Sequence, residues 1–192
     1  MSKLGMQLLI KAISLTGFMG CGKSTVGAVL AARLGWRFLD TDEVVEHNVG
    51  HSVAEIFAKR GEMAFRALET RAIADALAQL GRVLALGGGA LKADANLALI
   101  KDKSVLIYLE ADAALLASRL VSEQGGRPLL ARGAGDSRPW SEPELRSRVE
   151  ELLNERVEHY QQAHHTLTLR ESETPDQLAE RIIHACSQTR RL

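Results

Sequence analysis

Cysteine is scarce in this chain: Cys21 and Cys186 are the only two among 192 residues, and they form no metal-spaced pair. A disulfide scaffold and a cysteine metal motif are therefore excluded, and a reducing cytoplasm is the expected compartment. A surplus of one charge is missing too, because Lys plus Arg and Asp plus Glu both total 24 and the net charge is zero. Binding to nucleic acid or an acidic membrane would call for an overall positive field, so neither partner is expected and any such field must be local. No apolar run approaches the roughly 18 residues a membrane-spanning helix needs. The first ten residues hold one lysine and a short apolar run without a small-residue cleavage site, so no signal peptide is expected. Repeats are absent, and three of the four prolines fall between Ser122 and Pro143. What remains is ordinary: 46% hydrophobic and 25% charged residues, enough to build one domain over residues 1–192 with a substantial core.

Short β-rich runs recur at Ile13–Thr16, Trp36–Leu39, Val83–Leu86, Val105–Leu109 and Thr166–Leu169. The first four are nearly continuous in apolar character, the pattern of parallel strands covered on both faces, whereas the last alternates like an edge strand. Helical patterns lie between them, at Thr25–Leu34, Glu43–Asn48, Ser52–Lys59, Glu62–Gln79, Ala95–Lys101, Ala113–Val121, Glu144–His164 and Pro175–Ser187. Alternating strands and helices predict an α/β fold with a doubly wound parallel sheet.

Gly17-Phe18-Met19-Gly20-Cys21-Gly22-Lys23-Ser24, followed by Thr25, matches the phosphate-binding pattern G-x-x-x-x-G-K-[ST]. It sits between a predicted strand and a predicted helix, where backbone N–H groups and the helix dipole together favour phosphate. Gly20, Cys21, Gly22, Lys23, Ser24 and Thr25 are the expected nucleotide contacts, with Lys23 placed for the β- and γ-phosphates and Ser24 for magnesium. Cys21 fills a variable position of the loop; it reads as a small filler, with a favoured thiolate beside Lys23 as the alternative.

The second strand ends in Asp40-Thr41-Asp42, near the carboxyl edge where ligands of such sheets bind. Asp40 could hold a magnesium-bound water, and Asp42 could accept the hydrogen bond, and the proton, of a substrate hydroxyl. Asp42 could equally cap the helix that follows. Arg66, one turn after Glu62, is either a surface ion pair or a fork for a planar anion such as a carboxylate. Gly87-Gly88-Gly89 after a buried strand points to close backbone approach by a ligand. Arg127 lies in the glycine-rich basic segment Ser122–Pro143, which reads either as a surface loop or as an active-site lid. An arginine there could reach the transferring phosphoryl group. Arg156 stands among glutamates, where a solvated charged face would explain it, and His164-His165 is expected to end a helix at the surface.

Taken together, Gly17–Thr25, Phe38-Leu39-Asp40-Thr41-Asp42, Gly61-Glu62-x-x-Phe65-Arg66, Leu86-Gly87-Gly88-Gly89 and Arg127-Pro128-Leu129-Leu130 resemble the shikimate kinase family over nearly the whole chain. The resemblance implies a three-layer P-loop kinase fold, like that of the nucleoside-monophosphate kinases, with a five-stranded sheet in the order 2-3-1-4-5. It implies ATP and Mg²⁺ as donor and metal and shikimate as acceptor, in a monomer. By the same resemblance Lys23, Asp42 and Arg127 are catalytic, and Arg119 and Arg127 contact ATP. Asp42, Arg66, Gly87, Gly88, Gly89 and Arg156 would hold shikimate, and Ser24 and Asp40 the metal. The helical segment 42–79 would carry the acceptor, and 122–143 would form the lid. Two departures stand out: the stretch from Arg127 to Arg156 is long for the family, and Glu158-His159 precedes Tyr160 where the family often has Pro-Leu. A kinase for another polyol acid such as gluconate, or a silent nucleotide-binding regulator, is the alternative.

Overall fold

The computed structural model describes residues 10–121 and 140–189. Strands β1 (Ala12–Thr16), β2 (Arg37–Asp40), β3 (Arg82–Ala85), β4 (Val105–Glu110) and β5 (His165–Thr168) form one parallel sheet in the order β2-β3-β1-β4-β5. The expected order and the expected edge position of the last strand are both found. Helices are α1 (Lys23–Leu34), α2 (Thr41–Val49), α3 (Val53–Leu77), α4 (Asp94–Lys103), α5 (Ala113–Val121), α6 (Glu142–Asn154), α7 (Val157–Tyr160) and α8 (Pro175–Gln188). Among the described residues no helix is long and apolar enough to cross a membrane.

Strand alternation divides the core into two layers. Ile13, Leu15, Val83, Val105, Ile107 and Leu109 point to one face, where α1, α5, α6 and α8 supply Val26, Leu30, Leu116, Val149 and Ile182. Leu84, Leu106 and Tyr108 point to the other, against Ile73 and Leu77 of α3, Leu97 and Ile100 of α4, and Tyr160 of α7. Burial on both faces is why these strands read as unbroken apolar runs. A smaller cluster of Val45, Ile56, Phe65 and Ala72 joins α2 to α3 beside the sheet.

Two expected helices are found, and one is divided. Ser52–Lys59 and Glu62–Gln79 are the two arms of α3, which opens with a capping box from Ser52 and Glu55 and leaves helical geometry at Gly61 between them. Gly61 takes φ 79 and ψ 170, a conformation reserved for glycine. The expected helix Glu144–His164 is instead two, because the chain leaves helical geometry at Arg156 (φ −128, ψ −16). No glycine or proline marks that break.

His164 and His165 do not end a helix at the surface. His165 begins β5, while the His164 N–H donates to the Leu106 carbonyl and its Nδ1 accepts from the Leu106 N–H, both at 2.9 Å. The imidazole thereby extends the β4–β5 ladder by one backbone-like link.

Candidate active site

The phosphate loop joins β1 to α1, and Gly17, Gly20 and Gly22 take positive φ values of 141, 81 and 89. Gly22 caps α1 without any side-chain acceptor. The amides of the first turn therefore face the cleft uncapped, as an anion site requires. Lys23 Nζ donates to the carbonyls of Gly17 (2.9 Å) and Phe18 (3.2 Å). Its charge is thus held over the loop. Cys21 is 1% exposed in the core cluster that holds Phe18, Val26 and Leu120, as a filler would be, and its Sγ also lies 3.9 Å from Lys23 Nζ. Arg119 reaches the loop from α5, donating to the Gly20 carbonyl at 3.3 Å.

Asp40 closes β2 with both carboxylate oxygens engaged. Oδ1 accepts from the Asp42 N–H at 3.0 Å and caps α2; Oδ2 accepts from Ser24 Oγ at 2.7 Å. Asp40, not Asp42, is therefore the helix cap, and the competing explanation for Asp42 falls away. Thr41 Oγ1 accepts from the Gly87 N–H at 2.9 Å, tying the start of α2 to the glycine run. Asp42 itself is left with a buried Oδ1 that has no hydrogen-bond partner. Burial, then the charges of Asp40 and Glu69, push its pKa up to about 6 against the pull of Lys23 and Arg66.

The three glycines lie under the site's charged side chains. A Cβ on Gly87 would stand 2.5 Å from Glu69 Oε1 and 2.6 Å from Asp42 Oδ1. One on Gly88 would stand 3.1 Å from Arg156 Nη1, and one on Gly89 2.5 Å from Arg66 Nη2. The close approach inferred for a ligand is thus made, in this structure, by the protein's own side chains. It also sets Arg156 and Arg66 over consecutive residues of one strip. Each guanidinium rests on an aromatic ring: Arg66 Cζ lies 5.2 Å from the Phe65 centroid and Arg156 Cζ 5.6 Å from that of Phe18.

For Arg66 the ion-pair reading is found, with a second, buried partner. It pairs with exposed Glu62 at 3.1 Å, and its Nη1 meets Glu69 at 2.8 Å. Arg156, by contrast, is not on a solvated face: it is 4% exposed, and its Nε and Nη1 are buried without partners. A buried guanidinium with free donors is costly unless an anion completes it. Loop, carboxylates, glycines and arginines all line one cleft of about 1210 Å³. Arg127 and the segment 122–139 lie outside the described residues.

Comparison with known proteins fits this arrangement. The shikimate kinase family model matches residues 19–187. A shikimate kinase from Chlorobium luteolum is 46% identical over 151 residues, which are 79% of this chain and 73% of that protein. The chain belongs to the shikimate kinase family. A solved shikimate kinase from Acinetobacter baumannii, in complex with shikimate, superposes with a TM-score of 0.82 at 31% identity, over 95% of this chain and 96% of that one. A gluconokinase from Sinorhizobium meliloti reaches a TM-score of only 0.56 at 18% identity, covering 94% and 93% of the two chains, and shares the fold alone.

In this shikimate kinase family member, several cleft residues escaped the sequence reading. Glu69 is fully buried, yet it sits mid-helix among residues that look like an exposed face. Its i,i+3 spacing from Arg66 was the available signal. Tyr160, which follows the Glu158-His159 departure from the family pattern, was given no role by sequence; it donates from Oη to the Gly88 carbonyl at 3.0 Å. Leu169, Arg170 and Glu173 after β5 also line the cleft, brought there only by the sheet's order.

Proposed function

We propose that this chain carries out its family's reaction as transfer of the γ-phosphoryl group of ATP to the 3-hydroxyl of shikimate, giving shikimate 3-phosphate and ADP. The observation that carries the assignment is the buried, unpartnered Oδ1 of half-buried Asp42, between the phosphate loop and a strip crossed by two arginines. Gly20–Thr25 bind the donor's phosphates, Lys23 neutralises charge on the β- and γ-phosphates, and Arg119 borders the nucleotide. Arg66 and Arg156 take the acceptor's carboxylate, with Gly87–Gly89 as the surface against which the ring lies. Asp42 accepts the hydrogen bond of the reacting hydroxyl, and its raised pKa makes it a stronger base than an ordinary aspartate. Arg127 is assigned to the transferring group from the family resemblance. Such a reaction needs little covalent help; positioning and charge stabilisation supply most of the acceleration.

Ser24 and Asp40 fit Mg²⁺. They place a hydroxyl and a carboxylate oxygen 2.7 Å apart at the mouth of the loop, the hydroxyl suited to ligate the ion directly and the carboxylate to hold one of its waters. When bound, the ion would neutralise charge on the donor's phosphates. Both cysteines are free and buried, which supports a cytoplasmic location, and we expect a monomer.

A coupled assay of ADP release tests the reading. Release should depend on shikimate and not occur with gluconate. Gluconate-dependent release would reassign the acceptor, and ATP binding without release on either acceptor would make the chain a regulator.

A further inference from the structure

Tyr160 closes α7 and is 1% exposed. Its ring stacks on Tyr108 of β4, with centroids 5.1 Å apart and planes at 29°. Leu86, Ala90 and Leu91 belong to the same apolar cluster. Packing alone would be served as well by phenylalanine, and a buried hydroxyl is tolerated only when bonded. Here the hydroxyl is committed: Oη donates to the Gly88 carbonyl at 3.0 Å. Burial raises the phenol's pKa while the Arg156 guanidinium pulls the other way, and the net shift is upward. The proton therefore stays on the oxygen at neutral pH, where it can be donated.

The same oxygen lies 3.7 Å from the place a Gly88 Cβ would occupy, and Arg156 Nη1 lies 3.1 Å from it. Phenol and guanidinium thus share one face of Gly88. A backbone bond from Tyr160 N–H to the Arg156 carbonyl, 3.1 Å long, fixes the two residues to each other. Arg156 Nε and Nη1 have no acceptor of their own, so these atoms do not set the guanidinium's position. The Phe18 ring beneath it and the phenol beside it do.

We propose that Tyr160 is a positioning residue for the acceptor's carboxylate: its hydroxyl pins the Gly88 peptide and sets where Arg156 crosses the glycine strip. This rests on the reading that Arg156 and Gly88 hold shikimate. Removing the hydroxyl frees the Gly88 carbonyl and takes away the guanidinium's lateral stop. None of the phenol's hydrogen bonds reaches Lys23 or Asp42, so the loss falls on acceptor binding rather than on transfer.

Steady-state kinetics of Tyr160→Phe, which keeps the ring and its stacking, test the assignment. KM for shikimate should rise roughly tenfold, with kcat and KM for ATP changed by less than about twofold. A thermal melt close to that of the wild type accompanies this outcome. A merely structural role would lower the melting temperature and move all three kinetic constants together, which overturns the proposal. So does an unchanged KM for shikimate, and either result leaves the acceptor reading standing. A wild-type enzyme that releases no ADP with shikimate overturns the acceptor reading itself, and this assignment with it.

Discussion

Arg66 holds the carboxylate of Glu69 at 2.8 Å, and the Glu69 side chain is fully buried while that of Arg66 keeps 28% of its surface open. One partner is thus structural and the other remains available to the cleft. Breaking a buried pair from the exposed side strands the inner charge. Arg66→Ala should therefore destabilise the fold by about 3 kcal/mol as well as weaken acceptor binding. Adding Glu69→Gln should restore most of the stability and none of the binding. Denaturant melts of both single mutants and the double mutant check this, and strictly additive losses would refute it.

Asp42 is a base whose ionisation the fold opposes. Its folded pKa, about 6, stands above its ordinary 3.8. Between those values the folded chain binds more protons than the unfolded one, so stability falls as pH rises through that window. Above it the native state bears the full penalty. Asp42→Asn should remove it, raising stability at pH 7.5 by roughly 1–3 kcal/mol. Turnover should drop by about a hundredfold or more. In the wild type, kcat/KM should rise with pH through about 6 as the carboxylate forms. A less stable Asn variant, or a flat profile there, would count against this account.

Gly89 has φ −110 and ψ 1, which alanine adopts readily, but its Cβ would stand 2.5 Å from Arg66 Nη2. The obstacle is the far end of a flexible side chain, so Gly89→Ala should fold normally and push the guanidinium aside. KM for shikimate should rise by about tenfold, with KM for ATP unchanged. Equal changes in both constants would show that the glycine serves the backbone instead.

His164 accepts a backbone hydrogen bond through Nδ1, which requires that nitrogen to be unprotonated. Burial lowers its pKa, helped by the charges of Lys101 and His165. A depressed pKa means that the unfolded chain takes up the proton first, so the stability is present above about 6.5 and lost as pH falls through the folded value. The melting temperature should decline more steeply below pH 6.5 in the wild type than in His164→Ala. Parallel declines would remove the link.

Much of this is legible in the sequence. The apolar runs of β1, β3 and β4 announce strands covered on both faces, and the loop, Asp40, Asp42, Arg66 and the glycines carry the site in their spacing. The unread parts share a cause: side chains turned inward by tertiary contacts that leave no periodic trace. Arg156 breaks a helix with neither glycine nor proline because its side chain is drawn between Phe18 and Gly88. Glu69 looks like surface until Arg66 and Gly87 close over it. The identity of the cap at Asp40 rather than Asp42 depends on two residues of register, which local pattern does not resolve.

The glycine run also bears on how such an enzyme can change over generations. Positions 87, 88 and 89 are each held empty by a different charged group, reaching in from α2, α3 or the break before α7. A side chain gained at any one of them collides with Asp42, Glu69, Arg156 or Arg66, and losing Arg66 strands the buried Glu69 carboxylate. Drift toward a new acceptor would need coordinated replacements on separate segments of the chain. That coupling makes this end of the cleft far harder to repurpose than the phosphate loop beside it.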